Sequence, residues 1–201
     1  MRYTGPVNRI ARRLKFSILD NNKEFSKNKK RTTYPGMHPN KKRKQNSYAL
    51  QLIERQKIKY LYGLTEKNLK NLFEKAAQTK GSTTENMMNR LESRLDNVVY
   101  RLGWAPTRKA ARQLVLHNHI LVNNEKVNIP SFTLKINDVV SIKENSKKLE
   151  VIQQSIKETS SHLPFVTLNE DKMSGFLNRM PERKELNMNI NESLVVEYYS
   201  Y

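Results

Sequence analysis

An α+β chain is what this sequence predicts: a mostly helical stretch joined to a smaller unit in which helices pack on a short antiparallel sheet. Three observations carry that expectation. Apolar residues recur at helical spacing from about residue 47 to 103, short β-branched runs near 120–122, 126–127 and 139–142 are separated by turn residues, and cations are massed at the N-terminal end. The 201 residues are 28% charged, so small cores with basic extensions are expected.

The formal net charge of +18 exceeds what solubility needs and points to a polyanionic partner, nucleic acid before an anionic membrane surface. Residues 1–60 hold 17 Lys and Arg against 3 Asp and Glu, whereas residues 61–201 hold 20 against 16. Most of the excess is one block. The absence of cysteine excludes disulfides, thiolate zinc sites and Cys nucleophiles. No apolar run approaches the roughly 20 residues of a membrane span, and the N-terminus lacks the apolar core of a signal peptide. The opening "MRYTGPVNRIARRLKF" is basic like a transit peptide, but Gly5-Pro6 interrupts the amphipathic helix such a peptide needs.

Residues 1–46 read as a basic N-terminal extension. "KNKKRTTYPGMHPNKKRKQN" is nearly free of aliphatic side chains and cannot bury enough surface to order itself. Tyr3, Phe16, Phe25 and Tyr34 are interleaved with its cations, a pattern suited to stacking on RNA bases. From Ser47 the spacing of Ala49, Leu52, Ile53, Gln56 and Tyr60 predicts a helix stopping at Gly63. A second helix starts at a Thr65 cap, carries Leu69, Leu72, Phe73 and Ala76 on one stripe, and ends at Gly81. A third opens with the capping-box pattern Ser82-Thr83-Thr84-Glu85 and runs through Met88, Leu91, Leu95, Val98, Val99 and Leu102 to Gly103.

A fourth helix follows the Thr107 cap and reaches about His117. Ala110, Ala111, Leu114 and Val115 fall in one sector, while Arg108, Lys109, Arg112 and Gln113 fill the other, with Leu116 out of place among them. Two cations in the first turn sit at the wrong end of the helix dipole, at a cost of roughly a few tenths of a kcal/mol each, unless an anion joins them. A phosphate would receive the free N–H groups as well as the charge. Strands at Ile120–Val122, Lys126–Val127 and Val139–Ile142 follow, with Asn123-Asn124 supplying the positive φ of a tight turn. Residues 143–162 read as a polar connection with some helix. The run Leu194–Tyr199 fits either a strand or a short helix.

No catalytic constellation is legible. His117 and His119 lack the further ligands of a metal site, and His38 and His162 are remote. No glycine loop for a nucleotide and no nucleophile elbow are present, and Glu170 with Asp171 and Glu182 with Glu185 read as solvated or paired charges. Neither metal nor cofactor is expected, and the chain is not expected to be an enzyme.

The unit "RLDNVVYRLGWAPTRKAARQLVLHNHILVNNEKVNIPSF...INDVVSI" resembles the small RNA-binding domain first named for protein S-four of the small ribosomal subunit. "RYTGP" at 2–6, "YALQLIERQKIKYLYGL" at 48–64 and "RMPERKELNMNINESLVVEYYS" at 179–200 are similar to the start, middle helix and end of that ribosomal family, so the resemblance covers nearly the whole chain. It implies a helical domain, residues 47–91 completed by the tail 176–201, with an inserted RNA-binding domain and connecting segment at 92–175. It also implies a structural protein of the small subunit that binds 16S ribosomal RNA at a multi-helix junction of the 5′ domain and nucleates assembly. Further implied partners are neighbouring small-subunit proteins, at an interface linked to decoding accuracy, and mRNA at the entry path. The location implied is the cytoplasmic ribosome of a bacterium rather than an organelle. Glycines usual in the family are replaced by Asn118, Asn124 and Asn137, the Pro-rich turn before the middle helix is altered to "YPGMHPN", and the N-terminal cysteines of zinc-holding members are absent.

The residues expected to contact RNA are Arg94, Arg101, Thr107, Arg108, Lys109, Arg112, His117 and Lys126 in the domain, and Arg2, Tyr3, Arg9, Arg12, Arg13, Lys41, Lys42 and Arg43 in the extension. Two other readings remain at this level: an RNA-modifying enzyme that shares the binding domain, and a non-specific RNA chaperone or repressor acting through the extension.

Overall fold

The computed structural model describes residues 3–20, 25, 33–39, 46–159, 163–169, 173–186 and 189–200. Arg2, Lys41, Lys42, Arg43, His162, Glu170 and Asp171 lie outside the described residues. The chain divides into two compact units, one formed by residues 1–84 with 188–201 and the other by residues 85–187.

The first unit is helical. Helix α1 (Val7–Leu14) starts directly after Pro6, whose fixed φ suits a helix start, and ends at Lys15 in the left-handed region with φ 49°. Sequence reading places no element within this basic extension, and the structure adds one: Ala11 and Leu14 are buried in the helix, as is Ile18 beyond it. Helix α2 (Ser47–Leu61) stops at Gly63, which takes φ +62°. Helix α3 (Glu66–Ala77) begins as expected at Thr65, whose Oγ1 accepts from the Asn68 backbone N–H at 3.3 Å, but ends before Gly81. The ambiguous C-terminal run is helix α8 (Glu192–Ser200), packed along α2. It is pinned where the Asn191 N–H donates to Glu54 at 3.0 Å, the Tyr199 ring stacks on Phe73 at 5.0 Å, and the Tyr199 hydroxyl donates to Glu66 at 3.0 Å.

The second unit sets helices on a sheet. The third expected helix is in fact two, α4 (Thr83–Glu92) and α5 (Leu95–Arg101), broken at Ser93-Arg94. The break has a tertiary cause. The N–H groups of Leu95 and Asp96, which a continuous helix would spend internally, donate instead to the carbonyls of Phe132 (2.8 Å) and Pro130 (3.1 Å), and Leu134 N–H donates to Ser93 O at 2.8 Å. Helix α6 (Arg108–Leu116) follows, then strands β1 (Ile120–Val122), β2 (Glu125–Lys126) and β3 (Val139–Ile142). The polar connection contains a 3-10 turn at Glu144–Ser146 and helix α7 (Glu150–Glu158). Two strands that sequence reading does not anticipate, β4 (Val166–Leu168) and β5 (Ser174–Leu177), complete an antiparallel sheet in the order β2-β1-β3-β5-β4.

Registers such as Val122↔Val140 and Val139↔Phe176 fix which side chains face the helices. Leu95, Val98, Val99, Leu102, Trp104, Val115, Ile120, Val140 and Phe165 are wholly buried, so α5 and the sheet close one core around a single tryptophan. The sheet approaches α5 closely at Gly175. A Cβ there would stand 2.5 Å from Leu102 Cδ2 and 2.7 Å from the Thr167 carbonyl oxygen.

Candidate nucleic-acid interface

Helix α6 is positioned by its cap and by an apolar seam. Thr107 is extended, its Oγ1 accepts from the Ala110 N–H at 3.2 Å, and Ala111, Leu114 and Val115 are buried. Lys109, Gln113, Leu116 and His117 are exposed and Arg112 is half-buried, so the solvent side of the helix is a stripe of cations and amide with one apolar member. Leu116 does not turn inward at the helix end; it stays 45% exposed. Lys126 is exposed on β2.

Arg108 departs from its expected place on that stripe. Its side chain runs inward, Nε donating to Asn97 Oδ1 at 2.8 Å and the guanidinium lying 4.5 Å over the Tyr100 ring. The reason is charge already inside the fold. Asn97 Nδ2 donates to Glu92 Oε2 at 2.6 Å, and Glu92, wholly buried, is clamped by Arg101 through Nε (3.0 Å) and Nη2 (2.9 Å). A desolvated carboxylate must be paired, and it draws cations inward. Arg94 likewise grips Asp96 with Nε at 3.0 Å and Nη2 at 2.7 Å, and both side chains are under a tenth exposed. Arg94, Arg101 and Arg108, read from sequence as RNA contacts, are therefore turned to internal partners. Arg112 is the intermediate case: Nη1 reaches Asp96 Oδ2 at 3.2 Å while the side chain remains 29% exposed.

The misplaced cations of the α6 start thus have separate explanations. Arg108 is turned inward onto the Asn97 amide and the Tyr100 ring, and Lys109 alone of the two faces solvent. Sequence reading missed Glu92, Asp96, Asn97 and Tyr100. The signal available was Arg94-x-Asp96, a carboxylate in the first helical turn two residues from a guanidinium, set in an otherwise basic stretch.

At the α6 C-terminus the His117 and His119 rings stack with centroids 6.1 Å apart. His119 Nδ1 lies 2.8 Å from Ser146 Oγ. Partial burial, then His117 and Lys143, hold its imidazolium below the ordinary value of 6.5. Among the described residues no cluster of three His, Asp or Glu could hold a metal ion.

In the N-terminal segment the Tyr3 hydroxyl donates to Pro6 O at 3.2 Å and its ring meets Tyr60 edge-on at 5.6 Å. Arg9 and Arg13 are exposed on α1, while the Arg12 guanidinium spans from Asn8 O (3.4 Å) to Thr33 O (3.5 Å). Lys15 lies 5.0 Å over the Tyr34 ring. Of the interleaved aromatics, Tyr3, Tyr34 and Phe16, with Lys57 Nζ 5.7 Å over its ring, are thus engaged with the chain's own side chains.

The capped helix, the first strands beside it and the arginines on buried carboxylates belong to an S4 domain, a class of RNA-binding domain. Residues 93–140 match the family model of the S4 domain, and residues 2–92 match that of the ribosomal protein S4/S9 N-terminal domain. The small ribosomal subunit protein uS4 of Mesoplasma florum is 48% identical over 99% of this chain and 97% of its own length. Those of Christiangramia forsetii (48%) and Geobacillus kaustophilus (47%) are similar over 99% of this chain and 98% of theirs. The chain belongs to the family of small ribosomal subunit protein uS4, a family of structural ribosomal proteins and not of enzymes.

Proposed function

We propose that the protein binds a folded junction of 16S ribosomal RNA early in assembly of a bacterial small subunit, in the cytoplasm, and stays there beside neighbouring subunit proteins and the path by which mRNA enters. The observation that carries this reading is the solvent face of α6, where Lys109, Arg112 and Gln113 run from the capped helix start towards His117 at its other end, on a chain of net charge +18. Backbone neutralisation supplies affinity and the shape of the junction supplies selectivity. Lys126, Arg9, Arg13, Tyr3 and Arg12 are the further contacts proposed among the described residues, together with Thr107 at the cap. Arg2, Lys41, Lys42 and Arg43 are proposed on charge alone, and Arg94, Arg101 and Arg108 as the layer beneath the contact surface.

The test is binding to a folded ribosomal junction RNA at several salt concentrations, with an unstructured RNA of equal length as competitor. Preference for the junction that persists as salt rises is the expected result. Equal binding to both that fades steeply would leave only a polycation. Because Lys109 and Lys126 are exposed on folded elements, Lys109→Gln with Lys126→Gln should flatten the slope of log K against log salt by about 1.5 to 2 without altering the circular dichroism. An unchanged slope would remove this face from the interface.

A further inference from the structure

We infer that Asp96 is a positioning residue for RNA recognition, fixing the Arg112 guanidinium in place on the binding face. The inference rests on the proposed RNA-binding role of the α6 stripe. An anion beneath an RNA-facing surface is unfavourable twice over: it repels phosphate, and its desolvation is costly. Buried ion pairs are also weak evidence for stability, since apolar side chains of like volume serve as well. What Asp96 gains for the protein is geometry. It sits in the first turn of α5, where the helix dipole favours its charge, and its backbone N–H is tied to Pro130 O at 3.1 Å. Arg94 then locks the carboxylate from inside through both oxygens, at 3.0 and 2.7 Å. Oδ2 is left aimed at α6, where it accepts from Arg112 Nη1 at 3.2 Å.

Arg112 is thereby held to Asp96 through Nη1 of its rigid planar fork. An arginine loses rotamer freedom when it grips a phosphate, and one already ordered loses less. That gain is worth most on a folded RNA with fixed phosphates. An unstructured strand adapts to wherever a cation lies, so it gains little. Asp96 therefore raises selectivity while lowering net positive charge, and the two effects have opposite signs.

The full chain carrying Asp96→Asn tests this against the folded junction and the unstructured RNA, at a temperature where circular dichroism shows both proteins folded. The substitution raises net charge by one. The expected result is weaker junction binding with unstructured RNA bound as well as before or better, so that the ratio of the two affinities falls by about tenfold. Arg112→Lys gives a second reading that does not disturb the buried pair: charge and salt slope are kept, the fork is lost, and the ratio should fall likewise. Both affinities rising together in Asp96→Asn, both falling together, or an unchanged ratio in Arg112→Lys would overturn the assignment. If the wild-type protein itself shows no preference for the junction, the RNA-binding reading fails and not this refinement of it.

Discussion

Among the described residues of the second unit, asparagine takes the left-handed backbone at Asn118 (φ 59°), Asn123 (49°), Asn124 (68°) and Asn137 (69°). Three of these, Asn118, Asn124 and Asn137, are the positions where the family resemblance leads one to expect glycine, and all three have positive φ. Asn118 shows why the conformation is needed. The His119 N–H donates to Leu114 O and the Asn118 N–H to Val115 O, the paired bonds that close a helix end when the residue after the cap is left-handed. Asn118→Ala should lower stability by about 0.5 to 1 kcal/mol, and Asn118→Gly should match or exceed the wild type. Urea midpoints for the two variants check this, and equal loss in both would show that the side chain and not the backbone matters.

His119 carries a second expectation. Its depressed titration means that the folded protein favours neutral imidazole, whereas the unfolded chain takes up a proton near 6.5. The stability contributed by this group is present above 6.5 and is lost as pH falls through that value towards the folded titration point. An NMR titration of the ring should give a midpoint below 6.5, and His119→Gln should shrink the difference in urea midpoint between pH 5 and 7.5. A midpoint at or above 6.5 would refute it.

At the scale of elements, Gly175 shows what holds the sheet against α5. Leu102 and the Thr167 carbonyl occupy the space a Cβ would need, so Gly175→Ala should cost about 1 to 3 kcal/mol and lower the denaturant midpoint without changing the slope. A midpoint equal to wild type would mean that β5 can shift without loss. The same glycine helps explain why β5 was not legible in the sequence: Ser174–Leu177 is only four residues long, holds no β-branched residue and has a glycine inside it. Helices α2, α3 and α6 were legible because apolar spacing is a local signal, as are the side-chain caps of α3 and α6. The α4–α5 break was not, since Leu91, Leu95 and Val98 stay in helical phase across it while the cause lies with Pro130 and Phe132. Helix α1 was not legible because three arginines are interleaved with its few apolar residues over only eight positions. The inward turn of Arg108 was hidden for a related reason: helical phase gives a side chain's direction from the axis, not the partner at the end of a long stem.

Taken whole, the molecule separates its two charge regimes. Residues 1–60 carry almost no acidic counterweight, while residues 61–201 are nearly balanced, and within that balanced part Glu92 and Asp96 bind their arginines one by one. Composition made the first regime plain, and only coordinates reveal the second. The first unit also depends on both ends of the chain, since α8 covers α2 and places Tyr199 on Phe73 and Glu66. In biosynthesis, α2 and α3 leave the ribosome on the order of ten seconds before α8 is translated. For that interval their apolar faces wait uncovered, open to chaperones and proteases. A nascent chain that stalls within the second unit never acquires its covering helix.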